Sequence, residues 1–335
     1  MIARLALVFP ILLACGCASQ GVQTNALRQV GAIEMPGVGG RIDHLDVDLK
    51  GKRLFVAALG NNTVEVIDLE AGRDVHTIEG LREPQGVVYL PGRSRLVVTN
   101  GDGASAAIYD ADTYRLLQTV PLRSDPDNVR FDSTGGHIFV GEGTGRNGAL
   151  AVLSAGEDTA LVEIGVGGHP ESFQLEASGS RIFVNVPSTR RVVVVDRDRG
   201  KTIAEWPLAR AGANYPMALD EPDHRLFVGT RLPARLLILD TETGKIIAAL
   251  ATAGDADDIF YDGPAQRIYI TGGGGVVAVV EQVDADTYRS LGQVQTAPGA
   301  RTALFVPEWR RLYVAVPQRG GRSAAIRIYS TEPSP

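Results

Sequence analysis

The chain has 335 residues, 44% of them hydrophobic, and a formal net charge of −6. That is enough apolar material for a sizeable core, and the mildly acidic balance argues against a protein built chiefly to hold nucleic acid, which would show a basic face. Both cysteines, Cys15 and Cys17, stand near the N-terminus, so the remaining chain carries no disulfide, no thiol nucleophile and no Cys-x-x-Cys-His haem attachment site.

The first stretch, "MIARLALVFPILLACGCASQ", has one early positive charge at Arg4 and an apolar run from Leu5 to Leu13. That run is shorter than the roughly 20 residues a membrane-spanning helix needs, and it reads as a secretory signal peptide. "LLAC", ending at Cys15, resembles a bacterial lipobox, in which the cysteine is lipidated and becomes the new N-terminus. "ACGC", ending at Cys17, is a poorer match because Ala14 replaces the usual aliphatic residue; cleavage near Ala18 without a lipid is a third reading. The expected organisation is a leader over 1–17, a tether over 18–25 and a single domain over 26–335. Such a protein is periplasmic, monomeric, and touches the membrane only through its lipid.

Beyond the tether, "ALRQVGAIEMPG" (Ala26 to Gly37) reads as one strand. A repeat follows it. Its short anchor strands start at Arg53 (RLFV), Arg95 (RLVV), His137 (HIFV), Arg181 (RIFV), Arg225 (RLFV), Arg267 (RIYI) and Arg311 (RLYV), with spacings of 42, 42, 44, 44, 42 and 44. A period near 40–45 built of β-like units is the mark of propeller blades with about four strands each. In each copy a short alternating segment (strand a, such as "HLDVD" or "PMALD") precedes the anchor (strand b). Strand c follows, such as "TVEVID" or "RVVVVD", then an acidic turn and strand d. The seventh copy ends at "IRIYSTEPSP" without a strand d. The N-terminal strand is therefore expected to complete the last blade and close the ring, leaving no open edge. The fold class is all-β: a seven-bladed propeller of four-stranded antiparallel blades. The anchor arginines, most of them soon after an acidic end of strand a, are expected to form repeated local ion pairs or turn contacts, surface pairs of this kind being worth about 0–1 kcal/mol each.

"RLFVAALGNNTVEVIDLEAG", "RLVVTNGDG" and "LLILDTETGKIIAAL" resemble the YVTN-type seven-bladed β-propeller repeat, with "VVTN" at Val97 to Asn100 the nearest match. The resemblance covers about residues 26–331. It implies the propeller fold and an exported bacterial protein, and it implies no particular reaction, because propellers host binders, enzymes and electron-transfer partners alike.

In a propeller the loops from d to the next a, and from b to c, surround one mouth of the central channel. Ten and nine positions before each anchor stand Asp43-His44, Gln85-Gly86, Asp127-Asn128, Glu171-Ser172, Tyr215-Pro216, Asp257-Asp258 and Arg301-Thr302. These pairs vary while the strands around them stay alike, which marks the rim as the place where a ligand is read. The candidate ligand-binding residues are Asp43, His44, Asp127, Asn128, Glu171, Tyr215, Asp257, Asp258 and Arg301. Convergent carboxylates and His44 suit a divalent cation, and Arg301 suits a carboxylate or phosphate. His169, in "GGHPES", lies just outside the ring and reads first as a solvated loop residue, with a ligand role as the alternative. "GGGG" at Gly272 to Gly275 precedes no Lys-Ser/Thr and no helix start, so it is no phosphate loop.

No Gly-x-Ser-x-Gly or other nucleophile motif is present. The expected function is an exported, lipid-anchored binding scaffold for a small molecule, peptide or envelope protein, with no required cofactor. One alternative is a metal-assisted, lactonase-like hydrolase using the carboxylates and His44. A second is a non-redox accessory of a periplasmic oxidation system.

Overall fold

The computed structural model describes residues 24–155 and 160–332. Seven four-stranded sheets follow one another, each in the order a-b-c-d. Blade 1 consists of Leu45–Asp48, Arg53–Ala58, Thr63–Asp68 and Arg73–Ile78. The first strands of blades 2–6 are Pro84–Leu90, Val129–Asp132, Phe173–Leu175, Gly212–Asp220 and Ala256–Asp262. Blade 7 takes Ala303–Val306, Arg311–Val316 and Ala324–Ser330 from the end of the chain. Its fourth strand is Arg28–Met35, antiparallel to Ala324–Ser330. The N-terminal strand thus closes the ring, as the missing seventh strand d implied.

The anchor strands show no polar alternation because both of their faces are buried. Leu54 and Val56 pack toward blade 7, while Phe55 packs toward blade 2. Leu96 and Val98 meet blade 1, and Val97 meets blade 3. The core is accordingly seven clusters, one in each gap between neighbouring blades. A strand covered on both sides reads as a continuous apolar run.

The repeated acids are turn-formers. Asp68, Asp110, Asp196 and Asp240 each accept two backbone N–H groups of the c–d corner through Oδ1. Asp48 and Asp132 do the same at the a–b corner. Asx turns of this kind let an aspartate replace a backbone acceptor.

The anchor arginines differ from the expectation. Arg53 and Arg181 do pair with Asp48 and Glu176 of their own blades. They also cross to the next blade: Arg53 donates to the Ala111 carbonyl (2.5 Å), Arg181 to Thr241 (2.6 Å) and Arg225 to Ala285 (2.8 Å). Their side chains are only 11–22% exposed. These are inter-blade clamps rather than surface pairs, because the anchor sits at a blade edge where the neighbour's c–d corner comes within reach. Strand boundaries shift too. Strand d of blade 2 begins at Leu116 rather than Tyr114, because Tyr114 sits at φ 58° in the preceding turn. Strand a of blade 5 begins four residues earlier than "PMALD", at Gly212, across a register shift between Asn214 and Met217.

Candidate functional site

The d–a loops bring one repeat position after another to the channel. Counting back from each anchor, positions ten and twelve line the outer mouth and positions nine and seven line the channel beneath it. The outer mouth is a vestibule of about 390 Å³. Asp127, Glu171, Tyr215, Asp257 and Arg301 border it from the expected ring. Below it lies a cavity of about 280 Å³, bordered by His44, Asp258, Asp46 and Arg130 among others. Asp43 and Asn128 border neither space.

Asp43 is 1% exposed, and Nη2 of Arg41 donates to both of its oxygens at 3.1 Å. Burial pushes its carboxyl above the usual range against the pull of His44 and Arg41. His44 stands between two acids, with Nε2 3.7 Å from Asp127 and Nδ1 3.8 Å from Asp258. Burial would lower it, but Asp43, Asp258 and Asp127 together raise it. Asp258 also accepts the Ala303 N–H at 2.8 Å. Asp257 is bound by Arg231, and its other oxygen, Oδ2, is buried without a hydrogen bond. Burial, opposed by Arg231, pushes Asp257 up to about 7. The Arg231 guanidinium lies over the Tyr215 ring, 3.9 Å from its centre. Arg301 pairs with Asp255 at 2.8 Å. Cys15 lies outside the described residues.

His169 corrects the sequence reading. Its side chain is 19% exposed and its ring faces the vestibule, not bulk solvent. Nδ1 lies 2.7 Å from the Gly143 carbonyl. A carbonyl only accepts, so Nδ1 carries the proton and Nε2 is the atom turned toward the acids. Nε2 sits 4.0 Å from Asp127 Oδ2 and 4.0 Å from Glu171 Oε1. Burial alone would lower this imidazole; Asp127, the Gly143 carbonyl and Glu171 outweigh it and push it up to about 9. Burial and the neighbouring Asp127 push Glu171 up to about 8. Asp127 goes the other way: burial is outweighed by His169, His44 and Arg41, and its carboxyl falls below the usual range. Of the two acids, Asp127 is thus the one whose charged form the site favours, and Glu171 the one whose neutral form it favours.

The residues missed by sequence reasoning have a common origin. Arg41, Glu83, Asp125, His169 and Asp255 all stand twelve positions before an anchor. Glu83, Asp125 and Asp255 have φ of 51°, 56° and 54°. That left-handed residue interrupts the alternation of strand a, so a second ring reaches the mouth where simple period-two reasoning stops. The signal was available as two-residue spacing from the first ring. Arg231, expected on a b–c loop, reaches the mouth from the end of strand b of blade 5, Arg225–Leu232. The other b–c polar residues are used in the scaffold: Asn61 accepts the Gly39 N–H, Asn62 the Glu83 N–H and Glu142 the Arg123 N–H. The glycine run is likewise structural. A Cβ on Gly273 would lie 2.0 Å from Asp255 Oδ2, so the glycine makes room for the Asp255–Arg301 pair.

The fold and site define a seven-bladed β-propeller with a charged, funnel-like mouth at the d–a loops, an architecture that fits a binding role. The chain is similar to one of Kuenenia stuttgartiensis hydrazine synthase (TM-score 0.74, 15% identity, covering 84% of this chain and 93% of that one). It is also similar to a chain of the mitotic checkpoint complex (TM-score 0.77, 13% identity, 98% of both chains). Identities this low establish the fold alone. No protein-family model matches the chain, and no curated protein matches it. Function therefore has to be argued from the site.

Proposed function

We propose that this protein is an exported, lipid-anchored propeller of YVTN type that binds a small polar ligand at the d–a mouth. The observation that carries the reading is the vestibule itself. Side chains from blades far apart in the chain meet around one space whose lining is almost wholly charged or polar, with Leu59 its aliphatic exception. A volume of about 390 Å³ suits a small molecule rather than a folded partner. Cations (Arg41, Arg231, Arg301) and acids (Asp127, Glu171, Asp257) both line it, which favours a ligand bearing a carboxylate together with hydroxyl or ammonium groups.

The test is a thermal-shift and calorimetric screen, in EDTA, of amino acids, dipeptides and sugar acids against the full chain. At least one member is expected to bind, with affinity falling about tenfold in Arg301→Ala and in Tyr215→Ala, the equivalent of about 1.4 kcal/mol. A panel without a binder, or a binder indifferent to both substitutions, overturns the reading. The hydrolase alternative needs a cation in this mouth in addition to a substrate. The likeness to a hydrazine synthase chain is a likeness of fold and adds nothing to the accessory reading.

A further inference from the structure

The acids of the mouth are not equivalent. Asp43 is held by Arg41, Asp257 by Arg231 and Asp255 by Arg301. Asp127 and Glu171 have no arginine within ion-pair distance among the described residues. The cation nearest to both is the His169 ring, which at 4.0 Å is too far for a hydrogen bond. Oδ1 of Asp127 takes the Asn128 amide N–H at 3.5 Å and lies 3.7 Å from His44 Nε2, while its Oδ2 and the Glu171 carboxylate are the oxygens nearest His169 Nε2. The Asp127 side chain is only 10% exposed. The two side chains thus face one gap from neighbouring blades, with the His169 ring beside it.

The geometry points to a divalent cation in that gap, held by Asp127, Glu171 and Nε2 of His169. The inference rests on reading the mouth as a binding site and names one occupant of it. One ligand atom from each residue lies within 4.8 Å of the other two. Ligands bound at about 2.1 Å in tetrahedral array lie about 3.4 Å apart, so each carboxylate needs to close on His169 by roughly 0.6 Å and the two carboxylates on each other by at most about 1.4 Å. Small side-chain rotations supply that.

The outer contacts match a ligand set. The His169 Nδ1–H is fixed by the Gly143 carbonyl, the usual arrangement behind a metal-binding imidazole. The backbone of Asp127 is held by Gly141 (N–H to carbonyl, 2.9 Å) and by the Thr99 hydroxyl (2.6 Å to its carbonyl). The Glu171 N–H donates to Asn185 at 2.9 Å. The His169 loop leans on Gly148, where a Cβ would lie 1.7 Å from the Gly168 carbonyl. One imidazole with two carboxylates suits a first-row transition cation such as Zn²⁺ better than Ca²⁺, which takes six to eight oxygens. The side facing the vestibule stays open, so an oxygen-bearing ligand there completes the shell. Of the residues the sequence favoured for a metal, Asp43 is held by Arg41, Asp257 by Arg231 through one oxygen, Asp258 by the Ala303 N–H, and His44 stands between Asp127 and Asp258.

The test is calorimetric titration of the EDTA-dialysed, EDTA-free full chain with ZnCl₂, with Co²⁺ absorption as a second readout. One equivalent is expected, with affinity weakened at least about tenfold in His169→Gln and in Glu171→Gln. Asp102→Asn, which removes an exposed acid paired with Arg82 elsewhere on the same face, leaves it unchanged. The visible Co²⁺ bands disappear in His169→Gln. Circular dichroism and melting of each variant confirm the fold, and Glu171→Gln serves if His169→Gln does not fold. No stoichiometric Zn²⁺, or Zn²⁺ that binds all variants alike, overturns the inference. Because the ligand screen is run in EDTA, binders there with no Zn²⁺ site sink the cation and leave the mouth reading standing.

Discussion

At the residue scale, the channel shows how burial and pairing set each acid apart. Asp46 is a carboxyl that accepts the Tyr89 N–H at 2.6 Å and has no cation within ion-pair distance among the described residues. Burial, only partly offset by the Tyr89 and Val47 N–H groups and by Arg130, pushes it up to about 6. The folded state therefore keeps its proton at pH values where the unfolded chain, at the ordinary 3.8, has lost it. The stabilisation is fully present below the unfolded value and is lost as pH rises through about 6. Between those limits it amounts to at most about 3 kcal/mol. Asp46→Asn keeps an acceptor for Tyr89 and removes the titration. The expected result is equal stability of variant and parent near pH 4, and a more stable variant at neutral pH. Denaturant melts at the two pH values decide it, and a difference that does not vary with pH would contradict the assignment.

At the scale of elements, each blade is an ordinary antiparallel sheet that cannot bury both faces alone. Stability comes from the seven gaps between blades and from arginines such as Arg53, Arg181 and Arg225 that reach across them. The N-terminal strand occupies one place in this arrangement and, among the described residues, pairs the start of the chain with its end. Ile33 within it is 3% exposed and packs with Leu54 and Val56 of blade 1 and Ile326 of blade 7. Ile33→Asp buries an unpaired carboxylate at the closure. It is expected to destabilise the protein by about 3–5 kcal/mol and to leave the edge of Ala324–Ser330 open to self-association. Urea titration and light scattering measure the two effects. A variant as stable and as monodisperse as the parent would show that closure by this strand carries little of the stability.

At the scale of the whole molecule, the propeller gathers residues hundreds of positions apart into one mouth. The proposed anchor would hold that mouth at a membrane surface. Among the described residues no helix is long and apolar enough to cross a membrane, and the leader lies outside them. Cys15→Ser is expected to move the protein from the membrane fraction to the soluble periplasmic fraction and to abolish incorporation of labelled fatty acid. Unchanged fractionation, or labelling that survives at Cys17, would overturn lipidation at Cys15.

Blade number, strand order and ring closure were legible in the chain because a 42- or 44-residue period repeats the same apolar anchor, and a missing strand at one end matches a spare strand at the other. Much of the first ring of the mouth was legible for the same reason, since ten positions before an anchor is the same place in a blade, but Asp43 at that position is buried against Arg41 and borders neither space. The second ring was not, because left-handed residues such as Asp125 and Asp255 break the alternation that sequence reasoning relies on. Nor does a pattern of residue types say which acid meets which arginine. Asp43 and Asp127 hold the same repeat position, yet Arg41 neutralises the first while the second faces His169 and Glu171. Repetition in a chain records the local interactions that build each blade. The chemistry of the mouth depends on distances between side chains of different blades, and those exist only once the ring has closed.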